Sequence, residues 1–174
     1  MAECSQPHEP AVGCSSECEF SNNWQSGRIP LFSEVLEEYM CADGEGIDVL
    51  EIGSYEGRST LWFMHALHVR TMTCVDTWLG GEDMVRIGEI AKELPMAERR
   101  FDKNMRAAGV SEDMLIKKKG DSYKVLPELL LAGKRFDLIF VDGSHTAHAA
   151  QWDALLSIHL LRVGGLIIFD DYKK

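Results

Sequence analysis

The stretch Ile47-Asp48-Val49-Leu50-Glu51-Ile52-Gly53-Ser54-Tyr55-Glu56-Gly57-Arg58-Ser59-Thr60 decides how this chain is read: an apolar run breaks into a turn that carries two glycines four residues apart. A backbone leaving a strand for a helix must turn sharply, and glycine permits both the turn and the close approach of a ligand where a Cβ would collide. The turn therefore reads as a cofactor loop. A dinucleotide site wants Gly-x-Gly-x-x-Gly, with helix amides aimed at a pyrophosphate. Here Tyr55 holds the second glycine position. The pattern suits a cofactor without phosphates and argues against a nicotinamide oxidoreductase, a reading that only tight NAD binding would revive.

Outward from the loop, strand and helix signals alternate. Apolar runs from Ile47 to Ile52, Thr71 to Asp76, Met114 to Lys118, Phe136 to Val141 and Leu166 to Asp170 suit strands buried on both faces. Helical spacing follows Pro30, from Leu31 to Tyr39, and recurs from Ser59 to Val69, once or twice within 81–108, from Tyr123 to Ala132 and from Ala147 to Leu161. The repeated β-α order predicts an α/β fold: a doubly wound, mostly parallel sheet with right-handed crossovers and helices on both faces. Such a sheet binds ligands at the carboxyl ends of its strands. Glu51, Asp76, Asp142, Asp170 and Asp171 all fall at or just past strand ends, so carboxylates are expected to crowd that edge.

With 174 residues, 45% of them hydrophobic, the chain can bury one core of ordinary size, hence one domain. Residues 1–27 are polar and without hydrophobic period, and are expected to be a poorly ordered leader to a domain over 28–174. The excess of 28 Asp and Glu over 18 Lys and Arg gives a net charge of -10, which opposes a phosphate backbone, so no nucleic-acid partner is expected. A soluble surface and a cationic cofactor explain the acidity equally well. No stretch approaches the roughly 20 apolar residues of a membrane span, and the start lacks the basic-then-apolar order of a secretory signal. The expectation is a cytoplasmic enzyme with no membrane partner. Cys4, Cys14, Cys18, Cys41 and Cys74 are odd in number and make no disulfide framework, so reduced, unligated thiols are expected. The run Lys117-Lys118-Lys119 is read as solvated, and 81–109 as a lid, a substrate-side helix or plain helical packing.

Glu51, one apolar residue and then Gly53 and Gly57 match the first motif of the class I S-adenosylmethionine-dependent methyltransferases, which the chain resembles from about residue 30 to 172. The resemblance implies a Rossmann-like sheet of order 3-2-1-4-5 and cofactor contacts from Glu51, Gly53, Ser54, Tyr55, Gly57 and Ser59. It also gives Asp76 to the ribose hydroxyls, Asp121 with Ser122 to the adenine, and Asp142 to the cofactor edge. Asp76 and Asp121 would equally serve as turn or helix caps. Two further blocks, Phe136 to His145 and Leu161 to Tyr172, look like those of metal-dependent small-molecule O-methyltransferases of the sugar or macrolide type. That likeness implies a divalent metal, magnesium first, held by Asp142, Asp170 and Asp171, whose hard oxygens suit such a cation. Capping and solvation are the plain alternatives for these aspartates. His145 is the candidate general base, since imidazole can take a hydroxyl proton at neutral pH, and His148 is the runner-up.

Members of that family continue past the fifth strand with a helix and two more strands, whereas Lys174 follows Tyr172 by two residues. The fold is therefore expected to lack strands 6 and 7, leaving the fifth strand as an edge that a second copy could cover. The reading that results is methyl transfer from S-adenosylmethionine to a hydroxyl of a small molecule with metal assistance. Its rival is a truncated, inactive domain that holds the cofactor or a partner.

Overall fold

The computed structural model describes residues 14, 16–23, 29–36, 46–81 and 88–170. Among them β1 (Ile47–Ile52), β2 (Val69–Asp76), β3 (Leu115–Lys119), β4 (Phe136–Val141) and β5 (Leu161–Phe169) form one sheet of order β3-β2-β1-β4-β5. Every pairing is parallel. The helices are α1 (Ile29–Val35), α2 (Arg58–Ala66), α3 (Gly88–Ala107), α4 (Ser122–Leu131) and α5 (Ala147–Leu160). This is the doubly wound Rossmann-like arrangement read from the sequence. Strand order reverses between β1 and β4, and a crevice opens at such a switch point.

Successive side chains of a strand point to opposite faces, and here that alternation divides the core in two. Val49, Met72, Cys74, Leu138 and Phe140 pack with Phe32 of α1, Trp62 and Phe63 of α2 and Phe101 of α3. Leu50, Ile52, Val75, Ile139 and Val141 pack with Leu126 and Leu129 of α4 and Leu156 and Leu160 of α5. Helices on both faces are what near-continuous apolar strands require. Phe63 and Phe140, both fully buried, lie with ring centroids 5.2 Å apart, a contact worth about 1 kcal/mol beyond burial.

Three expectations are corrected. β5 starts at Leu161 rather than Leu166. The Gly164-Gly165 pair reads as a turn, yet Arg162 anchors the strand's beginning by donating to Asp137 and, at 2.7 Å, to Asp48. A register shift between Phe136 and Leu138 accommodates the extra length. The Lys run is not simply solvated: Lys117 pairs with Glu98 and Asp102 at 3.0 and 2.7 Å, and Lys119 with Glu98, tying β3 to α3. Cys14 and Cys18 are joined as a disulfide with Cα atoms 6.0 Å apart, the turn at residues 16 and 17 bringing them together. Cys74 is a free, buried thiol.

Residues 16–23 form neither helix nor strand, but they are held across the mouth of the crevice. The Glu19 peptide N–H donates to Asn104 Oδ1 at 2.7 Å, and Asn104 Nδ2 donates back to the Glu19 carbonyl at 2.9 Å. The Ser21 N–H donates to Glu56 Oε2 at 2.6 Å. This strap couples the N-terminal segment to both α3 and the glycine turn.

Candidate functional site

The crevice holds a cavity of about 1010 Å³ at the carboxyl ends of β1, β2, β3 and β4. Its walls are the glycine turn, the ends of β2 and β3, the start of α4, the β4–α5 turn and the strap residues Phe20 and Asn22.

The glycines of the turn answer to the protein itself. Gly53 has φ of +92°, and a Cβ there would lie 2.0 Å from the carbonyl oxygen of Asp142. Gly57, at +82°, would put its Cβ 2.4 Å from Met105 Cε and 3.0 Å from Phe101. Both positions lie in the left-handed region where a side chain is strained. The close approach that the sequence suggested is thus made by the β4–α5 turn at Gly53 and by α3 at Gly57.

Asp76 organises the loop between them. Its Oδ2 accepts from the Tyr55 N–H at 2.7 Å and its Oδ1 from the Trp78 N–H at 2.6 Å. Among the described residues Tyr55 and Trp78 are the non-glycine residues of positive φ, at 46° and 53°, a conformation that costs energy unless the surroundings fix it. The Trp78 indole closes the network by donating to the Tyr55 carbonyl at 2.7 Å. Burial pushes the Asp76 carboxyl above its ordinary range, against the pull of the peptide N–H groups of Tyr55, Trp78, Ser54 and Thr77. Asp76 also lines the cavity, so the turn-holding role and a ligand-facing position coincide in one side chain. Trp78 is both core and wall: it is 3% exposed and meets Phe101 edge-on at 5.1 Å.

Of the residues singled out in the sequence, Gly53, Ser54, Tyr55, Ser59, Asp76, Asp121, Ser122, Asp142 and His145 line this cavity, and so does His148. Glu51 does not. It is fully buried and turned toward α2, where Thr60 donates to its Oε2. Burial pushes the Glu51 carboxyl up, against the hydroxyls of Ser59, Thr60 and Ser54. Gly57 and Asp170 are likewise outside the lining, and Asp171 lies outside the described residues. Asp121 is exposed and caps α4, its Oδ1 accepting from the Tyr123 N–H at 2.9 Å. The β4 end is bound into the sheet through the Asp142 N–H to the Ile52 carbonyl at 2.8 Å, and the Asp170 N–H donates to the Val141 carbonyl at 3.0 Å. Asp142 and Asp170 therefore stand on neighbouring strand ends. Among the described residues no three Asp, Glu, His or Cys side chains gather as a metal-holding group. His145 is exposed at the rim, while His148 Nδ1 lies 3.0 Å from the Tyr123 hydroxyl.

Sequence reasoning missed Glu56, Arg58 and Asp153. Glu56 is 2% exposed and takes the Arg100 guanidinium at 2.8 Å. Arg58 donates to the Asn22 carbonyl at 2.9 Å and sits 4.1 Å over the Phe20 ring, fastening the strap to the turn. Asp153 of α5 is 1% exposed and lines the cavity. Burial pushes its carboxyl up to about 6, with the Ser122 hydroxyl opposing and the Asp121 charge assisting. A signal for it exists in the sequence: Ala149, Asp153, Leu156 and Leu160 follow the spacing of a buried helix stripe, so a carboxylate interrupts it.

A family described as methyltransferase domain matches residues 50–172. No curated sequence matches the chain. Among solved structures, a SAM-dependent methyltransferase from Agrobacterium tumefaciens aligns with a TM-score of 0.58 and 16% identity, covering 83% of this chain and 44% of that one. An O-methyltransferase from Bacillus cereus, solved in complex with SAH, gives 0.56 and 18% identity over 92% of this chain and 60% of its own. MycE, a methyltransferase of the mycinamycin biosynthetic pathway solved with Mg, SAH and mycinamycin VI, gives 0.55 and 17% identity over 88% and 35%. At such identities the likeness is one of fold. The chain spans 35% to 60% of the length of these three proteins.

Proposed function

The chain belongs to the methyltransferase-domain family, and from that premise we propose that it binds S-adenosylmethionine and directs methyl transfer to a hydroxyl oxygen of a small molecule. The observation that carries this reading is the chemistry of the cavity wall. The Tyr55 N–H, which a pyrophosphate-binding turn would present to its ligand, is taken by Asp76. Among the described residues Asp76, Asp121, Asp142 and Asp153 line the cavity beside Arg58, while the Glu56 carboxylate is paired with Arg100. Such a wall repels phosphates and favours a cation. A nucleoside bearing a sulfonium fits it; a dinucleotide does not.

When bound, the cofactor supplies a methyl group whose bond to sulfur breaks as an oxygen attacks, leaving a neutral thioether. This reading gives Asp76 to the ribose hydroxyls and the glycine turn to the amino-acid end. His145, at the rim, receives the hydroxyl proton as the new carbon–oxygen bond forms. The strap residues Phe20 and Asn22 shield the opening from water, which raises the worth of every charge inside. For a divalent ion the donor set is of the right kind: Asp142 and Asp170 stand on adjacent strand ends and offer hard oxygens. They would hold it with Asp171, and it would lower the pKa of an acceptor hydroxyl. The SAH found in the Bacillus cereus enzyme and the Mg found in MycE support these assignments.

The test is calorimetric titration with S-adenosylhomocysteine, with and without magnesium, followed by methyl-transfer assays on a panel of small hydroxylated compounds. Micromolar binding with turnover is the expected result. Binding without turnover on any acceptor favours the inactive cofactor-holding domain, and no binding by folded protein overturns the reading.

A further inference from the structure

The strap crosses the mouth of the crevice without belonging to helix or strand, so its place depends on what fastens it. Each residue from Cys18 to Asn22 has a tie. Cys18 is joined to Cys14, and its Sγ lies 3.8 Å from the Asn104 carbonyl oxygen. Glu19 is clamped at its peptide groups by the buried Asn104, whose Nδ2 also donates to the Glu56 carbonyl at 2.9 Å. The Glu19 carboxylate takes Arg100 and Lys103 at 3.1 and 2.9 Å. Phe20 carries the Arg58 guanidinium over its ring, Ser21 binds Glu56 and meets the Tyr55 hydroxyl at 3.2 Å, and the Asn22 carbonyl accepts from Arg58. The pair of Glu19 with Lys103 is exposed, and such pairs hold weakly. Among these ties the Cys14–Cys18 bond is the covalent one, and it closes immediately before the Asn104 clamp. Both cysteines are half-buried against the core, while Ser16 and Glu17 between them are exposed, so a thiolate from solvent can reach the bond.

We propose that the Cys14–Cys18 pair is a redox latch on this strap: oxidised, it holds Phe20 and Asn22 over the cavity; reduced, it lets them lift away. The exchange partner is a dithiol. One of its thiolates attacks a sulfur of the pair, the Cys14–Cys18 bond breaks as a mixed disulfide forms, and the second thiol of the partner displaces the protein sulfur. The dithiol is thereby oxidised to a disulfide, while Cys14 and Cys18 gain two electrons and two protons as thiols. A disulfide reagent runs the exchange backwards. The bond closes a short loop, so it acts by restricting the states available to residues 14–18 once the strap has lifted. Its loss leaves the other ties in place but enlarges the open ensemble, shifting the balance toward an open mouth by about tenfold. Phe20 and Asn22 line the cavity together with Tyr55, Glu56 and Arg58 of the glycine turn, the place of the cofactor's amino-acid end under the methyltransferase reading. The latch therefore governs entry and release of the cofactor. That consequence rests on the methyltransferase reading, whereas the movement of the strap does not.

The experiment compares the whole chain oxidised with glutathione disulfide and reduced with dithiothreitol, the state of Cys14 and Cys18 being read by alkylation and mass spectrometry. Two rates are measured in each state: cleavage within residues 16–23 by a glutamate-specific protease, for which Glu17 and Glu19 are sites, and dissociation of S-adenosylhomocysteine. Reduction is expected to speed both by about tenfold. Cys14→Ser with Cys18→Ser is expected to match the reduced chain and to ignore dithiothreitol, which assigns the effect to this pair rather than to the other cysteines. Melting curves establish that the double variant is folded, and Cys14→Ser alone replaces it if it is not. Thiols at 14 and 18 that stay free under glutathione disulfide overturn the inference. So do rates that reduction leaves unchanged, or a folded variant that still responds to dithiothreitol. A chain that binds no S-adenosylhomocysteine in either state overturns the methyltransferase reading instead, and the cleavage rates then still decide the latch.

Discussion

Replacing Gly53 by alanine tests whether the glycine turn is shaped by the protein or left open for a ligand. The added Cβ would lie 2.0 Å from the Asp142 carbonyl oxygen, 2.5 Å from its carbon and 2.9 Å from the Gly143 nitrogen. All three are backbone atoms, so no rotamer change relieves the clash. Regaining an ordinary contact of 3.4 Å needs a displacement of about 1.4 Å of the β4–α5 turn. That movement pulls on the bond from the Asp142 N–H to the Ile52 carbonyl, now 2.8 Å. Overpacking of this kind costs about 1–3 kcal/mol, and the left-handed φ adds about 1–2 kcal/mol for a residue with a Cβ. A loss of about 3 kcal/mol is expected, read from urea denaturation followed by tryptophan fluorescence. Because Asp142 and Gly143 both line the cavity, affinity for S-adenosylhomocysteine should fall by at least about tenfold. Gly57→Ala is the internal control. There the nearest atom is Met105 Cε, the end of a flexible side chain, so the cost should be about 1–2 kcal/mol and the loss of affinity smaller. A Gly53→Ala protein as stable as Gly57→Ala, or one that binds the cofactor product as tightly as wild type, refutes the reasoning.

Three more outcomes follow from the same contacts. Asp76→Asn keeps the shape but offers one acceptor oxygen to two peptide N–H groups, those of Tyr55 and Trp78, so a loss of about 2 kcal/mol is expected in thermal or urea unfolding, together with weaker S-adenosylhomocysteine binding; an unchanged midpoint would show that the loop holds its own shape. Arg100→Met strips the guanidinium from Glu56, which is 2% exposed, and from Glu19 of the strap, which should cost about 3 kcal/mol and open residues 16–23 to limited proteolysis; resistance equal to wild type would count against the strap being held by this pair. The Asp153 carboxyl, raised from 3.8 to about 6, binds its proton more tightly folded than unfolded, so its contribution to stability is greatest below pH 4, falls as pH rises toward 6 and is level above that, a change of at most about 3 kcal/mol; urea midpoints between pH 4 and 7 should slope less in Asp153→Asn than in wild type, and identical slopes would mean that the group is not perturbed.

The fold was legible because its signals are local and repeat. Five apolar runs separated by helical spacing leave few topologies once crossovers must be right-handed; the order β3-β2-β1-β4-β5 itself is the one that the family resemblance implied. The start of β5 was not legible, since Gly164-Gly165 carries the local mark of a turn while the anchoring of Arg162 by Asp137 and Asp48 depends on partners 25 and 114 residues away. The strap shows the same limit. Nothing in the periodicity of residues 16–23 announces order, which comes from Asn104 and Glu56, 85 and 35 residues distant. Within the site, the sequence named the strand ends correctly but not the direction in which their side chains turn. Alternation along β1 sends Glu51 beneath α2, away from the crevice that Asp76 and Asp142 line. Asp153 stayed hidden because a carboxylate inside a helix reads as solvated until the buried stripe around it is recognised.

These placements change what the glycine motif itself signifies. Gly53 and Gly57 are required by the Asp142 carbonyl and by Met105 and Phe101, whatever the cavity holds. The glycine pair thus identifies the packing of a strand end against its neighbours, and the ligand must be read from groups that remain turned toward the cavity. Those groups are acidic. With the Tyr55 N–H held by Asp76 and the Asp121 oxygen accepting from Tyr123, the turn offers little to an anion.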